Sequence, residues 1–353
     1  MKAIVNHEYG SPDELELQEI EKPAIGEDSV LVRVRAASVN PYDWHLMRGL
    51  PYFVRLSEGL RRPKHPVLGV DVAGHVEAVG ENVTQFQPGD EVFGGRSGAF
   101  AEYVCGVERN FTPKTAGLSF EQAAAIPMAG CTALQALRDA GQLQPGQSVL
   151  VNGAGGGIGT FAVQIAKAMG GQVTGVCSTS NVDLVSSIGA DEVVDYTAGG
   201  FTEAKRQYDL IIDLVGNRSL SDLRRALTPK GTLVLVGGGG GNLLGPLADP
   251  IRAFVLSRFV SQRLLPFLAK LRTTDMVFLT ELIGAGKVSP VIGRTYPLSE
   301  VPDAIRHVET GHARGKTVIT VSHLDDAPRA VRAFAGKVDT SQLPSWPTRV
   351  PAP

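Results

Sequence analysis

Residues 148–159, SVLVNGAGGGIG, run an apolar strand into a glycine-dense turn, and the following TFAVQIAKAM (160–169) reads as a helix opened by that turn. Few local patterns restrict a fold so much. The strand must lie in a sheet, the helix must pack back on it, and the glycines let another group approach the backbone closely. The first turn of such a helix offers unpaired N–H groups and the positive end of the helix dipole, which together suit a pyrophosphate. The pattern therefore predicts a dinucleotide site built on Gly153, Ala154, Gly155, Gly156, Gly157, Ile158 and Gly159, with spacing Ala-x-Gly-x-x-Gly.

The rest of the chain supports two kinds of architecture. Residues 1–125 are rich in short strand patterns: VLVRVRAA (30–37) alternates apolar and polar positions, and GVDVAGHVEAVG (69–80) is a second such run. From residue 126 strands and helices alternate, with strands expected at 148–152, 172–177, 192–195, 210–214 and 232–236, and helices at 182–188 and 220–227. That alternation implies parallel βαβ units. Strands at 291–295 and 317–321 and a helix at 302–310 suggest that the chain then returns to the first domain. The expected divisions are 1–125, 126–270, 271–322 and a proline-rich, poorly ordered tail, 323–353.

Composition narrows the functional classes. A formal net charge of −2 over 353 residues leaves no electrostatic footprint for nucleic acid. The apolar stretch 243–271 carries Asp249, Arg252, Arg258, Arg263 and Lys270, which argue against a membrane span. The N-terminal MKAIVNH reads as a strand and not as an apolar signal segment, so a cytoplasmic location is expected. Cys105, Cys131 and Cys177 are far apart and predict buried free thiols, with neither a metal cluster nor a disulfide framework.

The expected second Rossmann strand ends VCSTSN (176–181), where an NAD site usually places an acid for the ribose 2′-hydroxyl. None precedes Asp183, so a 2′-phosphate is expected to meet no carboxylate here. Ser178 and Thr179 are candidate hydrogen-bond donors to a 2′-phosphate, so NADP(H) is favoured over NAD(H), although no Arg or Lys lies in this turn. Tyr196 is a further candidate donor, or a plain surface residue. Val215, Gly237 and Gly238, the last two in the run VLVGGGGG (234–241), complete the cofactor candidates of this half.

Several motifs in order, GVDVAGHVEAVG (69–80), GDEVF (89–93), GAFAEY (98–103) and the glycine turn, resemble the medium-chain dehydrogenase/reductase superfamily over residues 1–322. The resemblance implies an α/β protein with a GroES-like β-rich catalytic domain and a Rossmann domain of doubly wound parallel sheet. It also implies a cofactor in the cleft between them. Members of the zinc branch hold a catalytic zinc through a cysteine, a histidine and a later cysteine or acid. Asn40, Val70 and Met128 stand at those positions here, and this set cannot build a tetrahedral zinc site. The pattern is similar to the zinc-independent quinone oxidoreductases and 2-alkenal or enoyl reductases.

That branch implies a hydride passed from NADPH to a quinone or conjugated carbonyl substrate. Alternatives are an NAD(P)-dependent alcohol dehydrogenase-like enzyme and a non-catalytic NADPH-binding interaction protein. The resemblance carries Thr132 to the nicotinamide side and Tyr196 to the 2′-phosphate. The basic residue that quinone reductases place beside that phosphate falls near Val182, which departs from the pattern. It also brings the late basic segment HARGK (312–316) towards cofactor or substrate, with surface salt bridging an equal account of Arg314 and Lys316, and it suggests a homodimer. Without zinc, catalysis needs donors for the charge that develops on the substrate oxygen. The candidates are Asn40, Tyr42 and His45 in NPYDWH (40–45), with Asn40 the preferred contact with the substrate or with the nicotinamide of the cofactor. Asp43 is expected to orient its neighbours, and the aromatic loop 51–53 to lie over the pocket.

Overall fold

The computed structural model describes residues 1–199, 206–236, 252, 253 and 255–323. The glycine run at 237–241, with the candidates Gly237 and Gly238, and the tail at 324–353 lie outside the described residues.

The chain opens with β1 (Lys2–Asn6) and β2 (Leu15–Glu19), an antiparallel pair. A larger sheet follows, made of β3 (Ser29–Val39), β4 (Asp71–Val79), β5 (Glu91–Gly95), β6 (Tyr103–Val107) and β7 (Phe111–Pro113). Between β3 and β4 lie α1 (Pro41–Arg48) and the short α2 (Val54–Glu58). Val30, Val32 and Val34 alternate along β3 into one core with Val72, Val92, Phe100 and Phe111, as the period of a half-buried strand requires.

Two further helices, α3 (Phe120–Ala124) and α4 (Pro127–Gln135), lead into the second sheet. Its strands are β8 (Ser148–Asn152), β9 (Gln172–Cys177), β10 (Glu192–Asp195), β11 (Tyr208–Asp213), β12 (Leu227–Leu235) and β13 (Arg263–Pro266). Helices α5 (Gly157–Ala168), α6 (Val182–Ser187) and α7 (Leu220–Arg225) connect them. All neighbouring strands are parallel and run in the order β10-β9-β8-β11-β12-β13. The order reverses beside β8, the switch point at which such sheets bind ligands. Val149, Val151, Leu210 and Ile212 face one core, and Leu150 and Ile211 face another on the opposite side. Both faces are thus covered, which is why these strands read as apolar runs.

After α8 (Thr273–Gly284), β14 (Ile292–Pro297), α9 (Val301–Glu309) and β15 (Lys316–Thr320) complete the first large sheet, with β15 hydrogen-bonded to β3. The GroES-like catalytic domain and the Rossmann domain expected from sequence are both present. Met276 and Leu279 of α8 pack in a core that contains residues of α4 and α5 together with Ala36, Ala73, Phe93 and Val318 of the first large sheet, and the chain rejoins that sheet at β14. β13 was not anticipated, because its RLLP sits in a stretch notable only for being apolar. Among the described residues no helix is long and apolar enough to cross a membrane.

The turn between β8 and α5 needs its glycines for different reasons. Gly153 has φ +91°, a conformation that other residues rarely adopt. Gly159 lies where the helix crosses the strand, and a Cβ there would overlap the Gly153 carbonyl oxygen. Gly159→Ala should therefore push α5 off β8 and cost about 1–3 kcal/mol, measured as a lower midpoint in urea unfolding with unchanged m.

Candidate active site

α1 begins at the end of β3, and Asn40 is its N-cap, with the Asn40 backbone N–H donating to Asp43 Oδ2 at 2.7 Å. The Asn40 side chain is 3% exposed and points inward. Its Oδ1 accepts from Lys316 Nζ at 2.6 Å, and its Nδ2 donates to Asp71 Oδ2 at 2.9 Å. Asp71, fully buried at the start of β4, also accepts from Ser38 Oγ at 2.9 Å and from the Met128 backbone N–H at 3.0 Å. Lys316, at the start of β15, donates to the Val39 carbonyl at 3.3 Å and stands 3.6 Å from Asp71 Oδ2.

This knot ties four remote parts of the chain together: residues 38–43, Asp71, Met128 and Lys316. Burial raises the Asp71 carboxyl and lowers the Lys316 ammonium, each opposed by the other's charge. Burial also pushes Asp43 up from its usual 3.8 to about 7, although the Asn40 N–H and the Lys316 charge favour its ionised form. Lys316 was expected at the cofactor. Its terminal nitrogen instead lies inside the knot, and only its stem passes the glycine turn, where a Cβ on Gly157 would lie 2.9 Å from Lys316 Cδ. Asn40 was the preferred contact with substrate or nicotinamide, and the structure turns its amide to Lys316 and Asp71.

The expected candidates differ in what they can still do. His45 stacks on Trp44, and its Nδ1 lies 3.0 Å from the Leu50 carbonyl, so Nδ1 carries the proton and Nε2 is left as an acceptor. Burial lowers its pKa, which disfavours an imidazolium acid at neutral pH. Tyr42 is 43% exposed on the first turn of α1, and burial of its ring together with Glu58 and Asp43 raises its pKa, so it stays a donor. Tyr52 and Phe53 of the aromatic loop are exposed. Thr132 is buried on α4 and donates to the Met128 carbonyl at 2.6 Å.

Around the glycine turn the geometry suits a dinucleotide. Gly156 is the N-cap of α5 with no side-chain cap, and a Cβ there would meet only the Gly153 carbonyl oxygen, at 3.5 Å. That leaves the approach to the first helical N–H groups open. Ala154 and Ile158 pack inward, and Val215 is half-exposed beside Gly153. Asn181, which the sequence did not single out, packs against Gly155, and its buried Oδ1 has no hydrogen-bond partner.

At the end of β9 one expectation is corrected. A carboxylate does stand beside this turn, supplied by the neighbouring strand, where Asp195 lies in register with Cys177. Thr179 Oγ1 donates to Asp195 Oδ2 at 2.6 Å, so its hydroxyl is engaged. Ser178 Oγ lies 3.1 Å from Ser180 Oγ, and the Tyr196 side chain is exposed at the same corner.

The residues at the vacated zinc positions do gather, with Asn40 and the Met128 N–H both bonded to Asp71, the neighbour of Val70. What gathers there is the Asn40 amide, the Met128 backbone N–H, the Asp71 carboxylate and the Lys316 ammonium, and a cationic lysine in that space disfavours a metal ion. Among the described residues no three His, Cys, Asp or Glu side chains converge as metal ligands. Burial pushes the Cys131 thiol up to about 12 and Cys177 to about 11, so neither is a ready thiolate. Cys105 is only partly buried, unlike the expected set of buried thiols.

Comparison with known proteins identifies the family. Residues 26–116 match the model of the alcohol dehydrogenase GroES-like domain, and residues 188–319 match that of zinc-binding dehydrogenases. The mouse mitochondrial NAD(P)H oxidoreductase RTN4IP1 is 36% identical, covering 91% of this chain and 89% of the relative. The chain belongs to the medium-chain dehydrogenase/reductase superfamily, among its quinone oxidoreductase-like members.

A tomato 2-methylene-furan-3-one reductase is 35% identical over 90% of this chain and 79% of its own length. The structure of the Coxiella burnetii quinone oxidoreductase superposes with a TM-score of 0.80 at 31% identity, covering 91% of this chain and 99% of that one. The family and these relatives make the protein an oxidoreductase that works with a nicotinamide cofactor. The expected cytoplasmic location is overturned by the relatives. The mouse, human and cattle RTN4IP1 proteins are mitochondrial.

Two outcomes test the knot. Lys316→Met should cost about 3–5 kcal/mol, because Asp71 would be left buried without its counter-charge; denaturant unfolding measures it. Folded Asp43 holds its proton more tightly than the unfolded chain does. Its contribution to stability is therefore full below the ordinary 3.8 and is lost as the pH rises towards about 7. Asp43→Asn should remove this decline, so that the difference in unfolding free energy between variant and wild type moves in the variant's favour between pH 4 and pH 7.

Proposed function

We propose that the protein is an NADPH-dependent reductase of quinones and α,β-unsaturated carbonyl compounds that transfers hydride without a metal. The observation that carries this reading is the Lys316 ammonium held between Asn40 and Asp71, where the zinc branch keeps its metal ligands. A fixed ammonium inside the domain junction holds the α1 loop in place but does not touch a substrate as a Lewis acid would, because Lys316 is 3% exposed. A simple ketone would then lack activation. A conjugated acceptor spreads the developing charge and needs less. The relatives named as quinone oxidoreductase and 2-methylene-furan-3-one reductase support acceptors of this kind.

A bound nicotinamide supplies the hydride, and the chain's own part is to position the acceptor and answer its charge. Gly153 to Gly159 would hold the pyrophosphate at the open end of α5. Thr132 and the loop around Asn40 would border the nicotinamide. Of the three catalytic candidates, Tyr42 is the exposed donor with a proton to offer at neutral pH. Asn40 is taken up by Lys316 and Asp71, and His45 is neutral with its Nδ1 proton engaged. We assign Tyr42 to the acceptor oxygen and Asn40 to the positioning of α1.

NADPH oxidation measured with a small quinone and with a 2-alkenal, and NADP⁺ reduction measured with a primary alcohol, test the reading. Turnover with the first two, unaffected by a chelator, is expected. Alcohol oxidation that requires added zinc contradicts it. In the same assay Tyr42→Phe should lower kcat about 100-fold with little change in KM for NADPH.

A further inference from the structure

Just beyond the catalytic candidates the surface turns apolar and basic at once. α2 and the turn after it leave Leu56 74% and Leu60 70% exposed, with Tyr52 and Phe53 each 45% exposed in the same segment. Arg61, Arg62 and Lys64 follow directly and are exposed as well. Single exposed leucines are ordinary, but several large apolar side chains in one segment mark a place that meets something other than water.

The segment that carries them is held firmly. The Arg55 guanidinium lies over the rings of Tyr9 and Tyr52, 4.4 Å and 5.0 Å from their centroids, and its Nε donates to the Gly49 carbonyl at 2.9 Å. Tyr9 Oη donates to the Gly59 carbonyl at 2.7 Å, and the Lys64 N–H closes the turn on the Glu58 carbonyl at 2.7 Å. The apolar side chains thus stand on a fixed backbone, and binding through them needs little further ordering. The acids nearby do not cancel the basic charge. Within residues 52–65 Glu58 is the single carboxylate. Glu8 pairs with Arg62 at 3.2 Å, and the Lys64 ammonium donates to the Ser57 carbonyl, which carries no charge.

We propose that this face docks on an anionic phospholipid membrane, with Phe53, Leu56 and Leu60 entering the interface and Arg61, Arg62 and Lys64 meeting the lipid phosphates. The contact is peripheral and needs no spanning helix. Leucine and phenylalanine beside arginine and lysine are the composition of an interfacial anchor, and each cation held near an anionic leaflet adds to the attraction. A protein partner fits less well, because these few side chains fall short of the about 800 Å² that a stable interface takes from each partner. A bilayer surface accepts side chains singly. Docking does not depend on the reaction proposed above. On that reaction it has a consequence, since Tyr42 is close enough to Glu58 for this carboxylate to raise its pKa, and so borders the same face. An acceptor dissolved in lipid would then reach Tyr42 without first crossing water.

Co-sedimentation of the whole protein with phospholipid vesicles tests the docking. The wild type should pellet with vesicles of phosphatidylcholine and phosphatidylglycerol in equal parts, stay in solution with phosphatidylcholine alone, and be released by raised salt. Leu56→Glu with Leu60→Glu, and separately Arg61→Glu with Arg62→Glu, should each weaken binding by about tenfold or more, with the midpoint of urea unfolding unchanged. Leu268→Glu, at a leucine 91% exposed elsewhere on the chain, should bind as the wild type does. A wild type that ignores the anionic vesicles, or binds neutral ones equally, overturns the proposal. So does binding that either double variant keeps, or that Leu268→Glu loses as fully as they do. A leucine double variant that elutes later than the wild type in gel filtration, where the wild type binds neither vesicle, makes a second copy of the chain the occupant and overturns it too.

Discussion

The hydrogen bond from Lys316 to Asn40, with Asp71 beside both, is the interaction on which the arrangement of this enzyme depends. Three charged or strongly polar side chains are withdrawn from water here, at a cost of several kcal/mol for each ion. Only mutual satisfaction makes that tolerable: Lys316 donates to an amide and a carbonyl, and Asp71 accepts from an amide, a hydroxyl and a backbone N–H. The knot joins β3, α1, β4, the start of α4 and β15. It therefore fixes the loop that borders the proposed substrate space against the strand that follows the hydrogen bond from the Gly315 N–H to the Gly155 carbonyl of the Rossmann turn.

On the function proposed above, the same knot is what lets a fold shared with zinc enzymes proceed without the metal. The positions of the lost ligands are filled by groups that satisfy one another, so the loss leaves no orphaned charge behind. A buried ammonium then supplies electrostatic order at the junction without offering an open coordination position. On this account the demand for activation passes to the acceptor, whose conjugation meets it, and to an exposed phenol.

Much of this was legible in the sequence. The glycine turn announced its strand, its helix and its ligand class, because each glycine answers a steric demand set within a dozen residues. The parallel strands showed as apolar runs, since both sheet faces are covered. Asn40 and Val70 were legible as side chains that do not ligate zinc. What was not legible depends on distant pairing. Nothing near Thr179 announces Asp195, which reaches it only through the register of β10 on β9. Lys316 read as a cofactor residue, because a lysine in a basic segment gives no sign that its end will be buried against residues 276 positions away. Arg314, which donates to the Ser180 carbonyl, was ambiguous for the same reason. β13 and the packing of α8 were hidden in a stretch whose apolar character fits several structures.

The central claim is that hydride passes directly to a conjugated acceptor at a junction organised by Lys316 and not by a metal. Single-turnover transfer from 4-deuterated NADPH to a 2-alkenal, using protein exhaustively treated with a chelator, tests it most directly. The account predicts deuterium at the β-carbon of the product, at a rate the chelator does not change. Transfer that fails after chelation and returns with added zinc would contradict it.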